Sequence, residues 1–239
     1  MNKAKIKEIF ISTQGEGPFV GYKQLFIRFC NCNLKCEYCD TDFETETSKE
    51  YSADELETYV KSLKGFDYVH SVSLTGGEPL LWADFLNEFL PRINKPVYLE
   101  TNATVHVGLK KVFDNIDYIS ADIKLPSSSG IKNSFEMHDK FFKSVRDAIL
   151  TCAATKQYDC ERQVLFAKIV FDENITNKEI EKSIELAKKY NFQIILQPKM
   201  NGMKLEIPTN VIEDVFDKFL EKYENTRLIP QVHKFLNIQ

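Results

Sequence analysis

Three of the six cysteines lie in one short segment, and their spacing suits a metal centre. The segment reads CNLKCEYCDTDF over residues 32–43, so the cysteines are Cys32, Cys36 and Cys39. A zinc site needs a fourth Cys or His at similar spacing, and the four histidines are scattered along the chain. Ferredoxin clusters use four cysteines. Three thiolates on one tight loop therefore indicate a 4Fe–4S cluster with one iron left open for a ligand.

The other three cysteines have simpler interpretations. Cys30 stands two residues before the loop, at the predicted end of a strand, and is interpreted as a small buried apolar residue. Cys152 and Cys160 lie in the polar stretch CAATKQYDC and are interpreted as core-filling or surface thiols. The sequence therefore assigns metal binding to the 32–43 segment alone.

Polar groups that could bind a small ligand follow three of the predicted strands. The stretch SLTGGEPLL contains Gly76 and Gly77, which let the backbone approach a ligand closely because no Cβ intervenes, and Glu78, which adds an acceptor. The stretches ETNAT (100–104) and SADIKLPSS (120–128) are also polar. Each of the three could instead be an ordinary turn or helix start, so their positions in the fold decide their meaning.

Short β-rich runs that recur along the chain must position these groups. The runs are LFIRF (25–29), VHSVSLT (69–75), PVYLET (96–101), DYISADIK (117–124), VLFAKIVF (164–171), FQIILQ (192–197) and TRLIP (226–230). Helix-like segments alternate with them, among them residues 52–63, 176–190 and 209–223. The first two helices begin with capping boxes, Ser52 with Glu55 and Thr176 with Glu179.

Alternating strands and helices predict an α/β fold with parallel strands and right-handed crossovers. Six or seven units are too few for a closed eight-unit barrel. We therefore expect a partial, open TIM-like barrel of about six parallel strands with outer helices, and a single domain over residues 1–239. In such sheets ligands bind at the carboxyl ends of the strands, where the polar stretches fall.

The composition argues against several classes of protein. The 239 residues are 43% hydrophobic and 28% charged, with a net charge of −4, which gives no broad basic surface for a nucleic acid. No apolar run reaches the ~20 residues of a membrane helix, and MNKAKIKEIFIS lacks the features of a signal peptide. We expect a cytoplasmic protein with no membrane partner, whose clustered thiols serve a metal or catalysis before disulfides.

The cysteine loop resembles that of the radical S-adenosylmethionine (SAM) superfamily. There the open iron of a 4Fe–4S cluster binds the methionine part of SAM, and the reduced cluster cleaves SAM to a 5′-deoxyadenosyl radical. The resemblance implies cluster ligation by Cys32, Cys36 and Cys39. It implies that the cofactor is bound by Tyr38, Cys39, Asp40, Gly76, Gly77, Glu78, Glu100, Asp122, Ile123 and Lys124.

Further motifs resemble one family within that superfamily, the 7-carboxy-7-deazaguanine synthases. They are EIFISTQGEGPFVG (8–21), RFCNCNLKCEYCDTDF (28–43) and RLIPQVHKFLNIQ (227–239), in the family's order. The resemblance implies contraction of the pterin 6-carboxy-5,6,7,8-tetrahydropterin, with loss of ammonia, on a path to 7-deazapurines such as queuosine and archaeosine. It also implies a Mg²⁺ ion bound by Thr41 and bridging to the substrate carboxylate.

The same resemblance implies a set of substrate-binding residues. Arg28 suits a carboxylate, because a guanidinium binds it in a bidentate fork. Gln14 and Glu16 suit the pterin's amino-pyrimidinone edge, although QGEG could also be a hairpin turn. The full set is Thr13, Gln14, Gly15, Glu16, Arg28, Thr75, His233 and Gln239. Residues 1–24 would then be a substrate-binding extension, and residues 226–239 a tail that closes the active site.

The chain departs from the family pattern in two places. Relatives often carry SPKxPSS where this chain has DIKLPSS, so Asp122 and Ile123 replace Ser and Pro while Lys124 remains. Family chains often end in proline or a longer tail, whereas this one ends in Gln239. The departures put the cofactor contact at Asp122 and the role of Gln239 in doubt.

Three alternatives stay open at the level of sequence. A radical SAM activase of a glycyl radical enzyme would share the cysteines and the barrel, but it would not need QGEG, Arg28 or the C-terminal motif. A non-catalytic zinc-binding or electron-transfer module would contain zinc without iron and sulfide. A paralogue could act on another pterin-like substrate.

The family resemblance also implies a flavodoxin- or ferredoxin-type electron donor and a homodimer.

Overall fold

The computed structural model describes residues 2–39, 47–155 and 164–238, and its central feature is one nine-stranded sheet. The strands of that sheet are β1 (Lys3–Thr13), β2 (Lys23–Phe29), β3 (Lys49–Ser52), β4 (Ser71–Gly76), β5 (Val97–Thr101), β6 (Tyr118–Ile123), β7 (Val164–Phe171), β8 (Gln193–Pro198) and β11 (Thr226–Leu228). A separate hairpin pairs β9 (Met200–Asn201) with β10 (Lys204–Leu205). Asp40, Thr41, Cys160 and Gln239, all considered above, lie outside the described residues.

The strand order confirms the expected open α/β barrel. It runs β11-β8-β7-β6-β5-β4-β2-β1-β3, so each parallel strand lies beside the next one along the chain. Seven strands, β2, β4 to β8 and β11, run parallel to one another, in agreement with the expected number of about six. The edges β11 and β3 do not pair with each other, so the barrel is open. The antiparallel additions β1 and β3 were not predicted from the sequence.

The helices among the described residues are α1 (Ala53–Ser62), α2 (Ala83–Phe89), α3 (His106–Val112), α4 (Pro126–Ser129), α5 (Ser134–Thr155), α6 (Asn177–Tyr190), α7 (Thr209–Leu220) and α8 (Val232–Leu236). Seven of them, α1 to α7, lie along the sheet, and α8 lies at the cavity described below. Both predicted capping boxes are present, Ser52 with Glu55 on α1 and Thr176 with Glu179 on α6. Each box satisfies two backbone N–H groups that a helix start otherwise leaves unpaired.

A main core between sheet and helices holds the strands in place. It is continuous from β1 and α1 to α7, and it contains the large buried side chains Phe85, Phe89, Phe142 and Phe219. Phe142 stacks on Phe192 with ring centroids 4.3 Å apart. Burial of such rings contributes roughly 1.5–3 kcal/mol each, so the sheet is a rigid support for whatever its strand ends carry.

The inside of the barrel contains a second apolar cluster of Tyr98, Phe166, Ile195 and Ile229. Phe19, from the segment between β1 and β2, packs into it and lies 5.3 Å from Tyr98 and 4.6 Å from Tyr118, measured between ring centroids. The N-terminal segment therefore fills the barrel and is anchored there. Among the described residues, no helix is long and apolar enough to cross a membrane.

Candidate functional site

A cavity of about 340 Å³ opens at the carboxyl ends of the parallel strands. This volume is within the range of small-molecule sites. The cavity brings together most of the site residues predicted from the sequence: Thr13, Gln14, Gly15, Glu16, Arg28, Cys32, Cys36, Tyr38, Cys39, Thr75, Gly76, Gly77, Glu100, Asp122, Lys124 and His233. Residues from both ends of the chain therefore share one site.

The cysteine loop forms one wall of this cavity and its local bonds suit thiolate ligands. The backbone N–H of Leu34 lies 3.4 Å from the Cys32 sulfur, and the Asn102 side-chain amide lies 3.6 Å from the same sulfur. The N–H of Cys39 donates to the carbonyl of Cys36 at 3.2 Å, which closes a turn between two cysteines. N–H groups directed at sulfur are a typical way of stabilising cluster thiolates.

The three cysteines suit the ligand chemistry of an iron–sulfur cluster. All three line this cavity. In a 4Fe–4S cluster each cysteine thiolate binds a different iron. Cys32, Cys36 and Cys39 thus fit a 4Fe–4S cluster.

Gly76 and Gly77 end β4 where the chain passes directly under the cysteine loop. Gly76 has a φ of +113°, a conformation that other residues adopt with strain. A Cβ at Gly77 would collide with the carbonyl oxygen of Asn31. The N–H of Gly77 donates to the Phe29 carbonyl at 2.9 Å, and the N–H of Glu78 donates to that of Asn31 at 2.8 Å. The paired glycines therefore set the position of the loop that begins at Cys32.

Glu78 and Ile123 lie behind the cavity wall rather than in it. Glu78 is fully buried, and its carboxylate accepts from the Thr101 hydroxyl at 2.8 Å and from the N–H groups of Asn102 at 2.8 Å and Leu80 at 3.1 Å. Burial raises the pKa of Glu78 to about 7. The Ile123 side chain is in the main core. Their contact with the cofactor stays a prediction. The hydrogen bonds of Glu78 connect the segment after β4 to the end of β5.

The QGEG segment and α8 meet at the opposite wall. Gln14 Nε2 donates to Gln24 and to Glu100, both at 2.9 Å, and its Oε1 accepts from the N–H of Glu16 at 3.0 Å. The Gly15 carbonyl accepts from the N–H of Val232 at 2.8 Å. The Gln14 side chain therefore stabilises the conformation of the QGEG segment. Its direct contact with substrate remains a prediction.

Four charged side chains form a connected group across the cavity, which we call the charge network. It consists of Glu16, Lys168, Asp122 and Lys124. Lys168 pairs closely with Glu16 Oε2, and its Nζ lies 3.4 Å from Asp122 Oδ1. Lys124 Nζ lies 3.0 Å from Asp122 Oδ2. Two cations thus neutralise two carboxylates where the strands β6 and β7 end.

The protonation states of the charge network follow from these contacts. Burial opposes ionisation of Glu16, but the Lys168 ammonium outweighs it and lowers the pKa of Glu16 to about 2. Burial likewise opposes charge on Lys124 and Lys168, and Asp122 outweighs it, so the pKa of each amine is raised. Glu16 and both lysines are therefore charged at neutral pH.

A flat apolar surface with one cation lies beside Glu16. Phe10 and Phe26 stack with ring centroids 5.1 Å apart. The Arg28 guanidinium lies 5.9 Å from the Phe10 ring centre and 3.3 Å from Glu8. The three residues line the cavity together. Such a surface suits a planar ring that carries an anionic group.

Sequence reasoning missed several residues that line the cavity or support its wall, among them Lys168, Gln197 and His138. Lys168 is a cation inside the apolar run VLFAKIVF, a signal that could have been noticed. Gln197 is buried at the end of β8 and lines the cavity. His138 is buried on α5, accepts from the N–H of Lys124 at Nε2 (2.9 Å) and pairs with the Ala103 carbonyl through Nδ1 (3.1 Å). Nothing in its sequence context distinguishes His138.

The cavity also fits SAM by the chemistry of its wall. Gln197 Oε1 is a buried acceptor without a hydrogen-bond partner among the described residues, and Gln197 lines the cavity. Buried acceptors left unpaired in a protein call for a donor from a bound group. The amino and hydroxyl groups of SAM supply donors of this kind. The residues present therefore fit both the cluster and the cofactor.

Comparison with known proteins agrees with the fold and the cysteine loop. The profile of the Radical SAM superfamily matches residues 26–187. The structure resembles that of QueE from Escherichia coli, with a TM-score of 0.60 at 19% identity over 97% of this chain and 95% of the other. It also resembles a radical SAM methyltransferase from Sphaerobacter thermophilus, with a TM-score of 0.61 at 11% identity over 87% and 66%. These two likenesses concern the fold alone.

Full-length relatives then narrow the class. A 7-carboxy-7-deazaguanine synthase of Geobacter sulfurreducens is 36% identical over 98% of this chain and 97% of its own length. One of Archaeoglobus fulgidus is 35% identical over 99% and 100%. The chain belongs to the 7-carboxy-7-deazaguanine synthase family of the Radical SAM superfamily. It is therefore a radical SAM enzyme of the lyase class.

Proposed function

We propose that this protein contracts the ring of 6-carboxy-5,6,7,8-tetrahydropterin to give 7-carboxy-7-deazaguanine, with loss of ammonia. The proposal includes SAM, a 4Fe–4S cluster on Cys32, Cys36 and Cys39, and a Mg²⁺ ion on Thr41. It rests on one observation above the others. A single cavity has the cysteine loop on one wall and, on the other, a guanidinium, a buried carboxylate and a stacked aromatic pair.

The second wall supports a carboxylated pterin as the substrate. Arg28 supplies a guanidinium that can bind the pterin carboxylate in a bidentate fork. It already pairs with Glu8 at 3.3 Å, so substrate would join or replace that partner. The stacked rings of Phe10 and Phe26 offer an apolar surface to the pterin plane. Together these contacts would hold the ring with its carboxylate at one fixed end.

Glu16 supports recognition of the other end of the pterin. Its carboxylate is ionised, because Lys168 lowers its pKa to about 2. An ionised carboxylate is a strong acceptor for the ring N–H and amino groups of an amino-pyrimidinone edge. Gln231 Nε2 donates to Glu16 Oε1 at 2.7 Å, which fixes the plane of that acceptor. His233 lines the same wall and supplies a ring nitrogen near Gly15.

Polar groups at the carboxyl end of β5 support orientation of the substrate on the side of the cavity assigned to the cofactor. Glu100 accepts from the Thr75 hydroxyl at 2.8 Å and from Gln14 at 2.9 Å. Burial raises the pKa of Glu100 above its ordinary range. The raised pKa means that Glu100 is protonated more readily than an exposed glutamate. We assign Thr75 to substrate binding and Glu100 to the cofactor side, as the sequence predicts.

A cluster held by Cys32, Cys36 and Cys39 would supply, together with SAM, the radical chemistry that removes hydrogen from C6 of the pterin. The chain's own contribution is to exclude water and to hold that carbon against the cofactor. Arg28 would neutralise the pterin carboxylate together with a Mg²⁺ ion, which would orient the carboxylate and stabilise charge during rearrangement. Thr41 lies outside the described residues, so the magnesium site remains a prediction.

The proposal extends to partners and location. We infer that a flavodoxin- or ferredoxin-type protein supplies the electron, and that the product enters a 7-deazapurine pathway of tRNA modification such as that to queuosine. We further infer a cytoplasmic homodimer with a single domain, whose residues 1–24 and 226–239 complete the substrate site. Val232 and Gln231, which contact Gly15 and Glu16, support that role for the two termini.

An anaerobic reaction tests the proposal. The cluster is reconstituted, dithionite, SAM, Mg²⁺ and 6-carboxy-5,6,7,8-tetrahydropterin are added, and the product is identified by mass spectrometry. We expect 7-carboxy-7-deazaguanine, and none from the matched variant Cys36→Ala, which loses one cluster ligand.

Other outcomes would redirect the assignment. If the cluster forms and SAM is cleaved without deazapurine, the superfamily chemistry stands, and an activase or a paralogue with another substrate replaces the proposal. Zinc without iron and sulfide in the purified protein would favour the non-catalytic module instead.

A further inference from the structure

Lys168 occupies the middle of the charge network and touches both halves of the site. It lies on β7, directly beside Asp122 on β6 in the register of the two strands. It pairs with Glu16 from the N-terminal segment and with Asp122 at 3.4 Å. Its side chain is only 10% exposed. Lys168 thus joins the pterin-facing Glu16 to the cofactor-facing strand.

The carboxylate of Glu16 is held at both oxygens. Lys168 binds Oε2, and Gln231 donates to Oε1 at 2.7 Å. A carboxylate gripped at both oxygens has a fixed plane, and its remaining lone pairs point in defined directions. Gln231 is neutral, so the full positive charge in direct contact with Glu16 comes from Lys168.

Removal of Lys168 would change the charge state of Glu16 as well as its position. Among the described residues, the charged or titratable groups that face Glu16 are Lys168 from β7, His233 from α8, and Glu100 and Tyr98 from β5, with Asp122 behind Lys168. Without the ammonium, burial and the neighbouring carboxylates act together against ionisation. The pKa of Glu16 would then rise above its ordinary value of 4.5.

We propose that Lys168 is a positioning residue for pterin recognition, which keeps the Glu16 carboxylate ionised and aimed at the amino-pyrimidinone edge of the substrate. This inference rests on the proposed function, because it gives Glu16 a pterin to bind. Lys168 acts through Glu16 and not by direct contact with the reacting atoms. It therefore controls affinity for the pterin, and above all the dependence of that affinity on pH.

The test measures binding of 6-carboxypterin, a stable fluorescent analogue, to the reconstituted protein between pH 5.5 and pH 7.5. We compare wild type with K168M, K168R and the remote control K222M, whose lysine pairs with Glu181 at 3.2 Å on the exposed surface. Wild type, K168R and K222M should show the same pH profile, because each keeps a cation beside Glu16. K168M should bind roughly tenfold or more weakly at pH 7.5.

The decisive result is how the affinity of K168M for 6-carboxypterin depends on pH. Its affinity should fall by up to about tenfold for each pH unit below the new pKa of Glu16, because one proton is then linked to binding. In an E16Q background the K168M substitution should add no pH dependence and little further loss. A K168M profile parallel to that of wild type would overturn the proposal and leave Lys168 a purely structural residue.

Circular dichroism separates loss of folding from loss of function. If K168M alone does not fold, the K168M/E16Q double variant, which removes both charges, is compared with E16Q. Equal binding supports the proposal, and a further large loss contradicts it. Different results would refute the proposed function and the role of Lys168. Wild type that neither binds 6-carboxypterin nor forms product refutes the proposed function, whereas wild type that does both with an unchanged K168M profile refutes only the role of Lys168.

Discussion

His138 offers a quantitative test of how the outer helices hold the site. Its Nε2 accepts from the N–H of Lys124 at 2.9 Å, and its Nδ1 donates to the Ala103 carbonyl at 3.1 Å. The ring thereby joins α5 to the carboxyl ends of β5 and β6. Replacement by Phe leaves one buried N–H and one buried C=O unpaired, at about 1–3 kcal/mol each. We expect His138→Phe to lower the free energy of unfolding by roughly 2–6 kcal/mol at pH 7.

The same residue should also shape the dependence of stability on pH. Burial lowers the pKa of His138 from 6.5 to about 4. Between these values the unfolded state binds the proton and the folded state does not, so stability falls as pH falls below 6.5. From pH 7 to pH 5 the loss due to this residue is about 2 kcal/mol. Glu78, whose pKa is raised to about 7 by burial, acts in the opposite direction, so the comparison must be between variants.

Urea denaturation followed by circular dichroism, on cluster-free protein at pH 7 and at pH 5, measures both effects. His138→Phe and His138→Gln should each lose about 2 kcal/mol of the pH-dependent change relative to wild type. They should differ at pH 7, because the Gln side chain can still accept near the Nε2 position. If both variants lose stability on acidification as steeply as wild type does, His138 is not neutral in the fold and the argument fails.

Three further outcomes are expected. Gly77→Ala places a Cβ against the carbonyl of Asn31 and should displace the loop at Cys32. The iron and sulfide content per chain should therefore fall, while the far-UV circular dichroism spectrum stays unchanged. A full content of iron and sulfide in this variant would contradict the close packing. Arg28→Lys should raise the KM for the pterin roughly tenfold or more with a smaller change in kcat, because Lys cannot form the bidentate fork, and an unchanged KM would remove Arg28 from carboxylate binding. Removal of Mg²⁺ by chelation should lower product formation and leave the cluster intact, and full activity without the ion would remove Thr41 from the proposed site.

The strands that carry the site could be predicted because each is an apolar run that ends in polar residues. All seven parallel strands coincide with predicted runs, and the capping boxes mark where α1 and α6 begin. The antiparallel strand β1 was not predicted, because its pairing with β2 over Ile6 to Thr13 depends on tertiary contact. The alternation of Lys3, Ala4, Lys5 and Ile6 is a strand signal that could have been noticed, but it does not specify the partner strand.

The site was predictable where one residue type implies one chemistry. Cysteine spacing and paired glycines have few structural uses, so Cys32 and Gly77 could be assigned from sequence. Lys168 and His138 act through partners far away in sequence, 152 and 35 residues respectively. Such partners become visible only when the fold brings them together. Gln14 differs from these residues because it was expected from the sequence to contact the substrate. In the structure its amide is hydrogen-bonded to Gln24, Glu100 and the N–H of Glu16.

The contact between Glu16 and Gln231 has a consequence for how the protein is made. The two residues are 215 positions apart, yet together they fix one wall of the cavity. A ribosome synthesises Glu16 well before Gln231. A nascent chain can therefore pair β2, β4, β5 and β6 in order while its substrate wall is still incomplete. The order of synthesis thus delays the working site until the scaffold around it has formed, and a chain that stops before residue 231 would keep most of the barrel without that wall.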